Sequence, residues 1–188
     1  MVEPTVLKAV QHGVPQRRER LVLVGIRKDL IEKTSFTYPK PLDEMFTLHD
    51  ALKAGKLYDT DVTQSEGPVY SQRKSEIMDM VEPGKNWKSL PEDIQVEYMK
   101  NSLYGGGGRT GYARRLAWDE PSLTLTCSPA QTQTERCHPD ETRPLTVREY
   151  ARIQTFPDEW EFEGSRSSAY KQIGNAVPPL LMQRIAEC

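Results

Sequence analysis

The sequence predicts an α/β protein, and three observations carry that prediction. An apolar run flanked by Arg20 and Arg27 is typical of a strand covered on both faces of a parallel or mixed sheet. Alternating hydroxyl and leucine side chains over residues 122–126 indicate a second, half-buried strand whose polar face meets water or a polar ligand. A Thr-x-x-Glu capping box at Thr146 marks the start of a helix near the carboxyl end.

Length and composition fit one ordinary domain, or a small domain with a piece of a larger one. The chain has 188 residues, of which 37% are hydrophobic and 28% are charged. No apolar stretch approaches the roughly 18 residues of a membrane span, and no signal peptide is evident, so we expect a cytoplasmic protein without a membrane partner. The cysteine and histidine spacings predict neither disulfides nor a metal site.

Charge is distributed unevenly along the chain. The formal net charge is −2, yet residues 1–40 hold eight basic and four acidic side chains, and residues 41–100 hold seven basic and twelve acidic ones. The average argues against a simple basic nucleic-acid binder. A basic lining inside a cleft would nevertheless suffice, because phosphate attraction is screened beyond about 10 Å at roughly 0.1 M salt.

The middle of the chain has a weak pattern, because prolines and acidic residues break it into short segments. Apolar side chains at spacings of three and four predict a short helix over residues 71–82. Pro91 predicts the start of another over residues 91–99.

The densest polar signal is Val14–Arg20, at the mouth of the first predicted strand. The guanidiniums of Arg17, Arg18 and Arg20 repel one another, and a bound phosphate or carboxylate would relieve that repulsion. The alternative interpretation is a solvated strand end in which Glu19 compensates one charge.

A second basic group follows a run of four glycines, Gly105–Gly108. Glycine lets a backbone approach a ligand closely, and arginines such as Arg109, Arg114 and Arg115 can bind guanine edges or phosphates. The alternative is a flexible surface loop.

Two helices are predicted at the carboxyl end. The first begins at Thr146 and ends by Pro157, and the second follows Pro178–Pro179. Residues 173–179 are predicted to form a turn, in which Asn175 either caps the second helix or binds a small anionic ligand.

These segments, in this order, resemble the later motifs of the DNA cytosine-5 methyltransferases of bacterial restriction-modification systems. Val14–Arg20 resembles the family's Gln-Arg-Arg-x-Arg motif, residues 143–158 resemble the next motif, and residues 170–180 resemble the last. The resemblance covers essentially the whole chain.

The resemblance implies a division into domains. Residues 1–30 and 143–188 would supply the closing strand and helices of a Rossmann-like, S-adenosylmethionine-dependent catalytic domain. Residues 31–142 would form a small, irregular, β-containing target-recognition domain that binds double-stranded DNA.

The resemblance also implies roles for residues. In this family a cysteine thiolate attacks C6 of a cytosine flipped out of the duplex, and C5 receives a methyl group from S-adenosylmethionine. Arg20 would bind the flipped cytosine or an adjacent phosphate, Arg18 would support the cleft, and Gln16 would hold the loop. The residues expected at the amino-acid end of the cofactor are Gly174, Asn175 and Ala176.

DNA contacts are expected from residue type, and the candidates are Arg109, Arg114, Arg115, Thr124, Thr126 and Ser128. Arg148 and Arg152 are expected to brace the recognition domain rather than touch DNA.

The sequence departs from the family at the nucleophile, which follows a proline in the family. None of Cys127, Cys137 and Cys188 follows a proline, and the family's Glu-Asn-Val and Phe-x-Gly-x-Gly segments are also absent. We therefore expect a carboxy-terminal portion or subunit that is inactive alone. It would work with an amino-terminal half that carries the cysteine and, in the cell, beside a cognate restriction endonuclease. The alternative is a non-enzymatic, sequence-specific DNA-binding module.

Overall fold

The computed structural model describes residues 3–33, 35–106 and 109–188. The α-helices in these ranges are Leu48–Leu52 (α1), Gln72–Asp79 (α2), Glu92–Met99 (α3), Val147–Ile153 (α4), Arg166–Asn175 (α5) and Pro179–Ala186 (α6). The strands are Thr5–Lys8 (β1), Gln16–Arg17 (β2), Glu19–Val22 (β3) and Ser122–Leu123 (β4). No helix in the described residues has both the length and the apolar character needed to cross a membrane.

The strands form two pairs. β1 runs antiparallel to β3, with Val6 opposite Leu21. β2 runs parallel to β4, with Gln16 opposite Ser122. The second pair places the arginine-rich motif directly beside the segment that begins at Ser122, although about a hundred positions separate them in the sequence.

The expected strand with two buried faces is wrong in both extent and burial. β3 ends at Val22, and the side chains of Leu21 and Leu23 are 60% and 61% exposed. Within the described residues, β1 is the one strand hydrogen-bonded to β3. Val22 packs into a hydrophobic cluster on one face, whereas Val6, Leu21 and Leu23 on the ribbon remain uncovered.

The second strand is shorter than predicted, and its strict alternation is wrong. β4 contains only Ser122 and Leu123, and the structure buries both Ser122 and Leu125. Ser122 tolerates burial because its N–H donates to the Pro15 carbonyl at 2.9 Å and its hydroxyl donates to the Leu123 carbonyl at 2.9 Å.

The helix predictions are confirmed with small shifts in their bounds. The predicted helices over residues 71–82 and 91–99 are α2 and α3, and Pro91 precedes α3 as its N-cap. α4 begins with the predicted capping box, in which the Thr146 N–H donates to Glu149 Oε2 at 2.7 Å. The last helix begins at the second proline of its pair.

The predicted turn over residues 173–179 is wrong in its first half. Residues 173–175 form the last turn of α5. At the amino-terminal end of α5, the hydroxyl of Ser165 caps the helix by accepting from the Ser168 N–H at 3.2 Å. Asn175 does not cap α6. Instead, the Thr155 hydroxyl accepts from the Leu180 N–H at 3.1 Å.

Among the described residues, three groups of buried side chains stabilise the structure. One joins the two ends of the chain through Leu7, Val14, Leu181 and Ile185, with contributions from their neighbours. The largest joins α1 to α4 and α5, and the third lies around α2 and α3. The domain boundaries expected after residues 30 and 142 stay a prediction. The largest group of buried side chains has members on both sides of residue 142.

Candidate functional site

Arg18 lies where three chain segments meet. Its side chain is buried, and its Nη1 donates to the Leu125 carbonyl at 3.2 Å. Its Nη2 donates to the carbonyls of Gly174 and Ala176, at 2.8 and 3.1 Å. Burial lowers the pKa of this guanidinium to about 10, so it remains charged at neutral pH. Arg18 thus joins the arginine-rich motif to the β4 segment and to the end of α5.

Gln16 and Gln154 connect the same segments by a second route. Gln16 Oε1 accepts from the Leu125 N–H at 2.9 Å, and Gln16 Nε2 donates to Gln154 Oε1 at 2.5 Å. Gln154 Nε2 then donates to the carbonyls of Ile173 and Ala176, at 2.8 and 2.9 Å. Both glutamines are fully buried. The sequence did not predict Gln154 as a residue of the site. Its one signal there is an amide side chain near the end of a predicted helix.

Gly174 permits a close approach between α5 and the segment after β4. A Cβ at this position would overlap the carbonyl oxygen of Thr126 and lie 3.0 Å from the Cys127 nitrogen. The Cys127 thiol donates to Asn175 Oδ1 at 3.5 Å. The exposed carboxamide of Asn175 therefore lies beside the residues that follow β4.

Two arginines of the motif remain at the surface. Arg17 is exposed, and Arg20 is partly exposed, with its Nη1 donating to the Glu19 carbonyl at 2.6 Å. Glu19 lies 3.8 Å from the ammonium nitrogen of Lys8, which gives the acidic side chain a lysine partner. These side chains line a depression together with Val10, Arg18 and Thr124. The excess of basic side chains makes it suitable for an anion.

Arg115 has an internal position that does not fit the expected DNA contact. Its side chain is buried, and its Nη2 donates to the Met78 carbonyl at 2.7 Å and to Thr142 Oγ1 at 2.8 Å. Its Nη1 lies 3.3 Å from the carbonyl oxygens of His138 and Pro139. A guanidinium engaged in this way braces a loop and has little surface to offer a phosphate or a base.

Arg109 and Arg114 are only partly available. Arg114 donates to Glu120 Oε2 at 3.1 Å. Arg109 donates to the Ser102 carbonyl at 2.6 Å, and its guanidinium lies 5.4 Å from the centre of the Trp87 ring. Gly107 and Gly108 of the glycine run lie outside the described residues.

The three hydroxyl side chains expected to contact DNA make hydrogen bonds to backbone groups, and one of these groups belongs to the arginine motif. Thr124 donates to the Arg17 carbonyl at 2.6 Å, and Thr126 donates to the Ser128 carbonyl at 3.2 Å. The Ser128 hydroxyl accepts from the Ala130 N–H at 3.4 Å. These bonds fix the backbone after β4.

Arg148 and Arg152 also make internal contacts. Arg152 is fully buried and makes paired hydrogen bonds to Asp158, at 2.8 and 2.5 Å. It also donates to the Thr60 carbonyl at 2.7 Å, while Arg148 donates to the Trp160 carbonyl at 3.0 Å. These contacts tie α4 to residues that precede and follow it in the sequence.

Comparison with known proteins gives the family. A sequence model of the C-5 cytosine-specific DNA methylases matches residues 1–188, the whole chain. The chain belongs to this family. The family expected from the sequence of this cytosine-5 methylase chain is therefore confirmed.

Close relatives of this methylase chain carry the names of Type II methyltransferases. M.Eco47II of Escherichia coli is 65% identical over 178 residues, which cover 95% of this chain and 43% of the relative. M.PspPI of a Psychrobacter species is 60% identical, with the same coverage. M.Sau96I of Staphylococcus aureus is 50% identical over 182 residues, or 97% of this chain and 41% of the relative. The chain thus spans about two fifths of the length of these relatives.

A solved structure shares the fold of this methylase chain. It is an Escherichia coli protein described as a DNA modification methyltransferase encoded within a prophage. The superposition has a TM-score of 0.56 at 21% identity and covers 98% of this chain and 58% of the other. An α/β methyltransferase fold follows for the described residues.

Proposed function

We propose that this chain supplies target recognition and one wall of the cytosine and cofactor pockets of a DNA cytosine-5 methyltransferase. The complete enzyme would methylate C5 of a flipped-out cytosine in a specific duplex sequence. One observation carries the proposal. Arg18 draws together the arginine motif, the segment after β4 and the end of α5, which are the regions where the family resemblance expects cytosine and cofactor contacts.

The arginine depression supports a role in binding the target nucleotide. Arg17, Arg20 and Lys8 line it, and Glu19 is the acidic residue among its lining side chains. Fixed donors beside a reacting ring stabilise negative charge that develops on the ring after nucleophilic attack. We therefore assign Arg20 to the O2 of the flipped cytosine or to an adjacent phosphate, with Arg18 holding the backbone behind it.

Asn175 and Ala176 fit the amino-acid end of S-adenosylmethionine, which supplies a methyl group when bound. Among the described residues, the Cys127 thiol is the hydrogen-bond partner of the Asn175 side chain, and it is a weak donor at 3.5 Å. An exposed carboxamide both donates and accepts, as a carboxylate and an ammonium group require. Gly174 keeps this carboxamide beside Cys127 by allowing the close backbone approach.

A further polypeptide segment would complete the enzyme. The relatives have more than twice the length of the part that this chain matches, and no cysteine of this chain follows a proline. The uncovered side chains of Val6, Leu21 and Leu23 offer that segment an apolar face to pack on. We assign it the nucleophilic cysteine and the remainder of the cofactor site. The relatives are named Type II methyltransferases, and we place this chain in a restriction-modification system beside a cognate endonuclease.

Arg20→Ala tests the assigned role in a reconstituted enzyme. The chain is mixed with the part of the Escherichia coli relative that it does not match, and methyl transfer to duplex DNA is measured. Loss of a preorganised donor is expected to slow transfer about 10²- to 10³-fold. Arg27→Ala is the matched control, because Arg27 is exposed and its side chain pairs with nearby Asp29 alone among the described residues. Unchanged turnover in the Arg20 variant would remove Arg20 from the proposed pocket.

A further inference from the structure

A turn after β4 presents polar side chains that the site described above does not use. We call residues 130–134 the amide turn. Gln131, Thr132 and Gln133 are all exposed, and their side-chain polar groups have no hydrogen-bond partner among the residues that the structure describes. Three adjacent uncharged side chains are thus free to bind a polar surface.

The backbone of the amide turn is held in place although its side chains are free. The Thr134 N–H donates to the Gln131 carbonyl at 2.9 Å, and the Thr134 hydroxyl lies 3.1 Å from the Thr126 hydroxyl. Lys74 donates to the Ala130 carbonyl at 3.1 Å. A fixed backbone lowers the entropic cost of ordering the exposed side chains on a ligand.

Gly111 brings a second segment against the same turn. A Cβ at Gly111 would overlap the Gln133 carbonyl oxygen and lie 3.3 Å from the Thr134 Cα. The Gly111 carbonyl accepts from the Glu135 N–H at 2.9 Å. The turn is therefore supported by the backbone that follows the glycine run.

A buried ion pair anchors the far end of the turn. Glu135 is fully buried, and one of its carboxylate oxygens lies 2.6 Å from the Lys74 ammonium nitrogen. The Tyr98 hydroxyl donates to the other oxygen. Burial raises the pKa of the Glu135 carboxyl, whereas Lys74 and the tyrosine hydroxyl favour its charged form. Removing either partner would leave a buried polar group unpaired, so this anchor specifies the position of the turn.

The amide turn lies next to the proposed pocket. Thr126, which contacts Thr134 of the turn, also approaches Gly174 through its carbonyl oxygen. Two residues earlier, Thr124 lines the arginine depression. A duplex whose target nucleotide occupied that depression would have neighbouring base pairs close to the turn.

We propose that Gln131 and Gln133 bind base edges of the duplex beside the target cytosine and so help to determine the recognised sequence. The inference rests on the proposed function, since it requires DNA in the arginine depression. A glutamine amide carries both a donor and an acceptor and can pair with a base edge in the major groove. It lacks the charge that dominates phosphate binding, so it contributes sequence preference rather than general affinity.

The test selects preferred sites from a randomised duplex library by binding to the reconstituted enzyme. Gln131→Ala and Gln133→Ala are compared with the unchanged chain and with Gln183→Ala. Gln183 is an exposed glutamine of α6 whose side chain bonds to Glu187 and to no other residue that the structure describes. The two turn variants should each lose roughly tenfold or more of the discrimination at one or two base positions. The salt dependence of binding should not change, because no phosphate contact is removed.

Two further results would overturn the proposal. One is an unchanged sequence preference in both turn variants. The other is weaker association with the complementing half at unchanged preference, which would make the turn a protein interface. Because the selection measures binding, it remains informative if the wild-type mixture transfers no methyl group. A mixture that binds DNA but transfers no methyl group would count against the proposed function and not against the role of the amide turn.

A change behind the turn provides an independent check. Thr134→Val keeps the shape of the side chain but removes its hydrogen bond to Thr126, and should broaden the sequence preference by loosening the turn. Thr134→Ser retains the hydroxyl and should restore the original preference. Equal preferences in these two variants would contradict a positioned turn.

Discussion

Gln16 and Gln154 form a buried amide pair although 138 positions separate them in the sequence. Gln16 binds the backbone N–H of Leu125, and Gln154 binds two carbonyls at the end of α5. The pair therefore connects the arginine motif to the proposed cofactor end through two side-chain amides. Both amides use their donors and acceptors inside the protein, where an unpaired polar group is costly.

Replacing either glutamine by leucine should destabilise the protein. We expect Gln16→Leu and Gln154→Leu each to lower the free energy of unfolding by about 1–3 kcal/mol, because each leaves a buried amide without its partner. The double variant should lose less than the two single losses combined. Urea unfolding of all four proteins measures the coupling, and strictly additive losses would show that the two amides do not act as a pair.

Gly174→Ala should be poorly tolerated. The new methyl group would meet the carbonyl oxygen of Thr126, and relief requires α5 to move away from the segment after β4. Overpacking of this kind costs about 1–3 kcal/mol. Gly25→Ala is the matched control, since no atom of the described residues, apart from Gly25 and its two chain neighbours, lies within 4 Å of a Cβ there. Equal melting temperatures for the two variants would contradict the close approach.

Thr155 combines an unfavourable backbone with a useful hydroxyl. Its φ is 68°, a conformation that β-branched residues rarely adopt, and its oxygen accepts from the Leu180 N–H at the start of α6. Thr155→Val keeps the branching and loses the acceptor, so it should cost about 1 kcal/mol. Thr155→Asn keeps an oxygen and adopts this conformation more readily, so it should be at least as stable as the parent. Thermal unfolding gives the order of stability of the parent and the two variants. A valine variant as stable as the asparagine variant would refute the capping role.

The ion pair of Arg152 and Asp158 should determine part of the response to acid. The Arg152 guanidinium holds the pKa of the Asp158 carboxyl below its ordinary value. Because the unfolded state binds this proton more readily, the stabilisation is complete above about pH 4 and is lost as pH falls through the lower folded pKa.

Asp158→Asn should lower stability at neutral pH by about 1–3 kcal/mol, because the buried guanidinium of Arg152 loses its charged partner. It should also weaken the acid dependence below about pH 4. The matched control is Asp29→Asn, which breaks an exposed pair with Arg27 and should cost about 0–1 kcal/mol. Unfolding curves at several pH values check both effects, and an Asp158 variant with the acid response of the parent would contradict the assignment.

The sequence predicted the features that depend on neighbouring residues. The capping box at Thr146 and the proline pair at Pro178–Pro179 mark α4 and α6, because caps and prolines act within one turn of the chain. α5 was missed because its serines and glycine have weak helix propensity, and the Ser165 cap together with tertiary packing compensates for this.

Features that depend on distant contacts could not be predicted from local patterns. The acceptors of Arg18 lie 107 to 158 positions away, so its burial was not evident from the motif. Arg115 resembled a surface arginine because nothing near it in the sequence revealed the four acceptors around it. The apolar run of β3 signalled burial, yet Leu21 and Leu23 are exposed because the described residues supply no cover for that face.

The most direct test of the central claim is methyl transfer from labelled S-adenosylmethionine to cytosine-containing duplex DNA. This chain alone is compared with the chain mixed with the part of the Escherichia coli relative that it does not match. Our account predicts transfer only in the mixture. Transfer by the chain alone would contradict the absence of a nucleophile, and sequence-specific binding without transfer in any mixture would favour a non-enzymatic DNA-binding module.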